Sequence, residues 1–339
     1  MATEDNWPRS VLNAKYRSMP GEFLYKGNQW VSWTSEQIIR RVEDQFQFWP
    51  SDVILSGYPK SGNTLLSEMV SLLVRSQGQK SKWAETLKWA HSYPVFNRVV
   101  FIEEIYQWIY PSCTQITKPM DYLEQWTTEG SQLPCRLIKT HLPADSMKCA
   151  LDRVDQSPRI VYVYRNPKDV CVSMFHFYRG AQEYGPFAGD WDEFLHMWLD
   201  GWIAAGNWSR VVPEWLKFSR LCTRPGNRIL CLSYESLVRE PMKCVQRLHR
   251  FLNPYQPLDP EVSEAICEHT SFERMRKNPQ TNYENVDGFV SDFEFMRRGE
   301  IGDWKRWFTA EQSTEFDRIY VSCVDQVNRF IFPGKLTLE

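Results

Sequence analysis

The sequence predicts an α/β fold with a central parallel sheet flanked by helices, and three observations carry that prediction. Four short apolar runs, Val53–Ser56, Cys135–Lys139, Arg159–Tyr164 and Arg228–Ser233, read as buried strands. Strands covered on both faces lose the polar alternation of half-exposed ones. Three of these runs pass quickly into helical patterns, and strands alternating with helices imply a parallel sheet with helices on both faces. The first strand-to-helix junction carries two glycines at the spacing of a phosphate-binding loop, a P-loop-like strand–loop–helix.

The elements follow in order. After the first strand, Leu65, Leu66, Met69, Val70, Leu72 and Leu73 fall at helical spacing around a mostly buried face. After the third, Asn166 can cap a helix and Pro167 suits its first position. After the fourth, Pro241 opens a helix carrying Val245, Leu248 and Leu252. From Leu73 to Cys135 the pattern is irregular and rich in aromatic residues. From Lys277 to Asp303 a long Asn, Gly and Asp-rich stretch lacks periodicity; a segment of that length is a lid, a binding loop or a disordered piece. No linker divides the chain. The expectation is one domain over 1–339, with a core over about 52–309 and a C-terminal helix and tail over 310–339.

Composition narrows the function. The 339 residues suffice for one large α/β domain. With 14% aromatic residues and 15 tryptophans, a large core or an aromatic-lined pocket is expected. A net charge of −2 argues against nucleic acid, whose phosphates select basic surfaces. The nine cysteines are scattered without a Cys-x-x-Cys pair, which speaks against a zinc ribbon or a disulfide framework and fits reduced, cytoplasmic thiols. The N-terminal residues are acidic and polar, unlike a signal peptide. No run of about 18 apolar residues occurs, so no membrane span is expected.

Four segments carry chemistry. In Gly57–Thr64, Gly57 and Gly62 have the spacing of a loop that turns backbone N–H groups onto a phosphate at a helix N-terminus. Asn63 occupies the usual lysine position and the lysine comes earlier, at Lys60. No strand ends in a magnesium-binding aspartate. The loop therefore suits a group neutralised by lysines, with a plain strand–helix turn as the bland alternative. Lys139 and His141 alternate at the end of the second strand, where open parallel sheets bind ligands. A histidine there can act as general base, or be a solvated loop residue. Arg165 ends the third strand and Ser173 lies two turns into the next helix, which suits a terminal phosphate; a salt bridge to Asp169 would be the structural explanation. Arg297 and Arg298 precede Gly299 in the long loop and could clamp a phosphate or lie solvated.

Together these segments resemble the cytosolic sulfotransferase family. Tyr58–Thr64 is similar to the family's Tyr-Pro-Lys-Ser-Gly-Thr-Thr loop, Lys139–His141 to its Lys-Thr-His, and Arg165–Ser173 to its Arg-Asn-x-Lys-Asp-Val-x-Val-Ser. Arg297–Lys305 resembles its Arg-Lys-Gly-x-x-Gly-Asp-Trp-Lys loop, and His269–Met275 and Lys277–Tyr283 also look like the family. The matches run in the family's order from about Asp52 to Thr309. The resemblance implies a site for 3′-phosphoadenosine 5′-phosphosulfate (PAPS) and its product PAP, without a metal. Lys60, Ser61, Gly62, Asn63 and Thr64 would hold the phosphosulfate. Arg165, Ser173, Arg297, Arg298 and Gly299 would hold the 3′-phosphate, and Tyr234, Thr270, Phe272 and Met275 would surround the adenosine. His141 would be the base, with Lys60 and Lys139 stabilising the leaving and transferring oxygens. The small acceptor would lie against an aromatic and aliphatic wall that includes Phe96, Phe101 and Phe177.

The sequence departs from the family pattern at three places. Leu65 stands where a tryptophan usually stacks on adenine, and Asn63 replaces a loop threonine. The dimer motif Lys-x-x-x-Thr-Val-x-x-x-Glu keeps Lys305 and Thr309 but has Ala310 and Thr314, so a monomer or weak homodimer is expected. A nucleotide kinase or ATPase, a non-catalytic nucleotide or ligand binder, and a variant that uses sulfation to drive dehydration stand as alternatives.

Overall fold

The structure, a computed structural model, describes residues 16, 18–104, 119–154, 157–221, 228–330 and 338. It contains a two-stranded hairpin, β1 (Phe23–Tyr25) and β2 (Asn28–Trp30), and a five-stranded sheet. The sheet comprises β3 (Val53–Gly57), β4 (Val100–Phe101), β5 (Leu137–Thr140), β6 (Arg159–Tyr164) and β7 (Arg228–Ser233). Its order is β4-β5-β3-β6-β7 and every pair is parallel. The expected α/β sheet is present. The second strand begins two residues later than its apolar run, because Arg136 is taken out of the strand to fork onto buried Asp52 and lie 3.8 Å over the Trp49 ring.

The parallel sheet explains the unalternating runs. Val53, Leu55, Leu137, Val161, Val163 and Leu232 point into one core, while Ile54, Ile138, Ile160 and Tyr162 point into the other. Both faces exclude water, so a period of two in polarity cannot appear. Six helices matter for the site: α1 (Asn63–Ser76), α2 (Val95–Arg98), α3 (Pro167–Gly180), α4 (Tyr234–Arg239), α5 (Phe272–Lys277) and α6 (Ala310–Phe330). α3 begins as its sequence indicates, with the Asn166 side chain accepting from the amides of Lys168 and Asp169, and Pro167 in the first turn. α4 precedes the helix opened by Pro241 and was not foreseen, its Ser233 cap being hidden in the β7 run.

Other elements escaped the sequence reading for physical reasons. β4 has only two residues, too few for any pattern. The β1–β2 hairpin turns at Lys26 and Gly27, both at positive φ (50° and 70°), which matches the twist of paired strands. The tryptophans are mostly core: Trp30, Trp198, Trp208 and Trp215 are among the largest fully buried side chains. The seven described cysteines form no disulfide. No described helix is long and apolar enough to cross a membrane.

Candidate active site

The ends of four neighbouring strands open onto one cavity of about 460 Å³. β3 delivers the loop 58–62, β5 delivers His141, β6 delivers Arg165 and β7 delivers Tyr234. Sequence order separates these residues widely; the parallel register brings their strand ends level.

The loop after β3 is held by backbone geometry that side chains resist. Lys60 adopts φ +66° and Gly62 φ +101°. A Cβ at Gly62 would meet the Tyr234 ring at 2.6 Å, so only glycine fits there. Tyr58 anchors the loop by donating to the Gly206 carbonyl at 2.7 Å, and the Asn63 amide donates to the Tyr58 carbonyl at 3.0 Å. The loop ends in the 14-residue α1, whose first turn borders the cavity. Gly62, Asn63, Thr64 and Leu65 line the cavity. Ser61 lies behind it, fully buried, and its hydroxyl has no hydrogen-bond partner among the described residues.

Among the described residues, Lys60 has no carboxylate partner. Its ammonium rests 4.1 Å from the Phe177 ring centre and 4.3 Å from that of Phe295. Burial first, then Lys139, Arg165 and Arg297, pulls its pKa down to about 7. Lys139 sits 4.3 Å over Phe101 and is also pushed down by burial, with Glu104, Glu103 and Glu183 opposing. Two poorly compensated ammonium groups in one chamber leave room for an anion.

His141 is oriented on two sides. Its backbone amide donates to Glu103, and its Nδ1 lies 2.5 Å from the Gly57 carbonyl. A carbonyl only accepts, so Nδ1 bears the proton and Nε2 is the basic nitrogen. Phe101 packs edge-on at 4.9 Å and Trp33 at 6.4 Å. Burial, then Lys139, holds the His141 pKa well below its usual value, so the imidazole is neutral at physiological pH. Glu103 behind it is pushed up to about 7 by burial, opposed by its hydrogen bond from the His141 amide.

Arg165 makes a long ion pair with Asp169, at 3.9 Å, while Asp169 also accepts from the amides of Gly302 and Trp304 at 2.8 and 3.1 Å. The guanidinium stacks 4.2 Å over Tyr234 and donates to the carbonyls of Lys60 and Glu300, while its Nε lacks a partner among the described residues. Ser173 and the Arg297, Arg298 and Gly299 segment complete this end of the cavity. Arg297 pairs with Asp303, and Arg298 lies 3.7 Å from the same carboxylate. Thr270, Phe272 and Met275 line the far wall with Leu65, and a Cβ at Gly299 would strike Phe272 at 2.2 Å.

The stretch 278–302 is a lid packed over the cavity. It contributes Tyr283, Phe289 and Phe295; Tyr283 stacks on Phe295 at 4.1 Å and lies 5.2 Å from Phe96. The Gln280 carbonyl accepts from the Val95 amide, tying the lid to α2. Phe96, Phe101 and Phe177 all line the cavity, whereas Phe175 and Tyr178 are core. The expected wall of aromatic and aliphatic residues requires one correction: Glu104 and Glu183 also line it. Trp33, Tyr283, Glu104, Glu183 and Asp303 were not singled out. Tyr283 and Asp303 lie within the family-like segments, but nothing in the sequence around Trp33 or Glu183 marks them.

Comparison with known proteins agrees with this geometry. A sulfotransferase domain model matches residues 50–328. Sulfotransferase 1A1 of Mus musculus is 35% identical over 278 residues, covering 81% of this chain and 85% of that protein. Sulfotransferase 1B1 of Mus musculus is 33% identical over 283 residues, covering 83% and 84%. Among solved structures, mouse sulfotransferase SULT7A1 complexed with PAP aligns with a TM-score of 0.65 at 22% identity, covering 89% of this chain and 94% of that one. A retinol dehydratase complexed with retinol and PAP aligns with a TM-score of 0.66 at 22% identity, covering 88% of each. At that identity the structures bear on fold. The chain belongs to the sulfotransferase family and is a sulfotransferase.

Proposed function

We propose that this sulfotransferase moves the sulfuryl group of PAPS onto a hydroxyl or amine of a small acceptor, with His141 as general base. One observation carries the reading: the Nδ1 contact to Gly57 leaves a neutral Nε2 beside two under-compensated lysines in one cavity. PAPS supplies an activated sulfuryl group on a good phosphate leaving group. The residues fit such a polyanion, because the Arg165 Nε is a buried donor without a partner among the described residues, and Lys60 has no ion-pair partner there. The acceptor O–S bond forms as the bridging S–O bond breaks, and Nε2 of His141 takes the acceptor's proton. Lys60 neutralises charge on the departing oxygen and Lys139 on the transferring oxygens. Ser61 to Leu65 hold the phosphosulfate end. Arg165, Ser173, Arg297, Arg298 and Gly299 hold the 3′-phosphate, and Tyr234, Thr270, Phe272 and Met275 hold the adenosine. Phe96, Phe101 and Phe177 contact the acceptor.

The proposed reaction needs no metal, since the lysines supply the positive charge. The whole chain is read as one catalytic domain working in the cytoplasm. It is read as a monomer or weak homodimer. Thr314 supplies no carboxylate at that position of the dimer motif, and its hydroxyl donates within its own helix to the Ala310 carbonyl. Light scattering should give a mass near 40.2 kDa, and a stable mass of twice that overturns the monomer. The functional test is an acceptor panel with sulfur-labelled PAPS in excess chelator. Label appearing in product supports the reading; dependence on ATP and magnesium, or no transfer to any acceptor, refutes it.

A further inference from the structure

The residues that would grip the 3′-phosphate come from two distant parts of the chain, and the contact that joins them lies outside the cavity. Arg165 and Ser173 belong to the junction of β6 with α3, whereas Arg297, Arg298 and Gly299 lie on the lid. Between the two groups stands Lys168, the second residue of α3, whose side chain is 1% exposed. Its ammonium donates to the Ser313 hydroxyl at 2.7 Å, lies 2.6 Å from Oδ1 of Asp317, and rests 4.2 Å from the centre of the Trp304 ring. Ser313 and Asp317 are one turn apart on α6 and so share the face that meets Lys168. α6 is itself fixed in the core: Phe316 and Tyr320 are buried and stacked at 4.2 Å, and Phe308 packs edge-on to Phe316 at 5.4 Å. Lys168, Ser313 and Asp317 do not line the cavity.

Resting on the sulfotransfer reading, we propose that Lys168 and Asp317 are positioning residues for 3′-phosphate recognition, through which the C-terminal helix α6 holds the two halves of the phosphate grip in register. Neighbouring bonds give this tether its route. Three residues before Lys168, the Arg165 guanidinium donates to the Glu300 carbonyl at 3.1 Å. One residue after it, Asp169 accepts from the amides of Gly302 and Trp304. Lys168 covers the Trp304 indole in the same seam, and Arg297 pairs with the adjacent Asp303. An ammonium this deeply buried is costly without an anion, and α6 supplies the anion. If the position had only to fill space, an apolar side chain over Trp304 would serve at least as well. An ion pair instead fixes where the first turn of α3 sits against α6, and binding built on guanidinium forks is sensitive to displacements of about 1 Å. The adenosine wall lies off this route. The phosphosulfate loop meets it only where Arg165 donates to the Lys60 carbonyl, so the 5′ end should feel the tether weakly.

The test compares PAP with adenosine 5′-monophosphate (AMP), which lacks the 3′-phosphate, on the full chain by calorimetry, with AMP measured by displacement of PAP. The wild-type protein is expected to prefer PAP at least tenfold. Asp317→Asn should weaken PAP at least fivefold and AMP no more than twofold. Asp317→Glu keeps the charge on a partly exposed side chain and should restore most of the loss. Ser313→Ala cuts the same tether more mildly, should move the PAP/AMP ratio in the same direction, and serves if Asp317→Asn does not fold. Equal weakening of both nucleotides with a lowered Tm, or an unmoved ratio in the folded variants, overturns the proposal and leaves Lys168 a packing residue. The same holds if Asp317→Glu is no better than Asp317→Asn, since the charge would then not matter. Wild-type protein that binds PAP no more tightly than AMP sinks the 3′-phosphate site and the PAPS reading with it. A preference for PAP that every variant keeps sinks the tether alone.

Discussion

The donor and acceptor ends of the cavity are built in opposite ways. At the donor end, function comes from backbone: a loop with two positive-φ residues, a helix start, and the Arg165 guanidinium held on two carbonyls. Side-chain identity there is constrained by space, as the contacts of Gly62 with Tyr234 and of Gly299 with Phe272 demonstrate. At the acceptor end side chains set the chemistry: rings from α2, α3 and the lid, with two carboxylates among them. A backbone device tolerates few sequences and leaves a motif. A side-chain wall can be rebuilt residue by residue and leaves none.

The largest expected effect is at the junction of the two ends. Lys60→Ala should lower kcat by about 10²–10³-fold, the range for losing one preorganised charge-stabilising group. Near-normal kcat in a single-turnover assay with labelled PAPS would remove Lys60 from the mechanism. His141→Ala should lower kcat by about 10²-fold or more, as for loss of a general base, while PAP binding stays nearly intact. Loss of PAP affinity in calorimetry would move His141 from the acceptor side of the comparison to the donor side.

The same comparison says which parts of the molecule were legible in the sequence. The strands β3, β5, β6 and β7, the helices α1 and α3, and with them Lys139, His141 and Arg165, were readable because strand ends and helix caps carry a local signal, such as Asn166-Pro167. Ser61, expected with the loop, lies behind the cavity wall, a displacement of one residue that only coordinates resolve. Glu183 and Trp33 were invisible because their positions depend on a hairpin and a helix exit meeting in space, joined by the bond from Ser32 to the Glu183 carbonyl. Arg165 illustrates a third case: its ion pair with Asp169 is long, at 3.9 Å, while the Gly302 and Trp304 amides, 133 and 135 residues from Asp169, also bind that carboxylate.

A smaller effect concerns pH and separates the two ends by sign. In the free protein the Lys60 pKa is lowered to about 7, chiefly by burial. An anion beside it favours the protonated form and raises that pKa. Binding PAP above pH 7 must therefore take up a proton at Lys60, and affinity should weaken as pH rises, by at most about tenfold per unit. His141 works the other way. Its pKa is depressed, so its neutral form persists as pH falls from 8 to 6, and kcat should not decline over that window through His141. Calorimetry in buffers of different ionisation enthalpy measures the uptake directly. Proton release on binding, or affinity flat from pH 7 to 9, would contradict the Lys60 assignment.

The smallest effect tests the one place where the donor end resembles the acceptor end, being built of side chains rather than backbone. Leu65 projects from the first turn of α1 into the cavity and shares that wall with Leu237, Val238, Phe272 and Met275. The wall is otherwise aliphatic apart from Phe272, and Val238 is 39% exposed, so a larger ring has room to lie toward solvent. Leu65→Trp should tighten PAP binding by about 1 kcal/mol, roughly fivefold, the order for one base stacked on one aromatic side chain. A gain alone would not prove stacking, since extra apolar area also helps. Making the Phe272→Ala change both in the native protein and in the Leu65→Trp variant separates the two. If adenine is held between the side chains at these two positions, the loss from Phe272→Ala should differ between the backgrounds, because residues that share a ligand couple. Additive effects, or an unchanged affinity on Leu65→Trp, would place the base against Phe272 alone and detach this corner from the geometry its family motif implies.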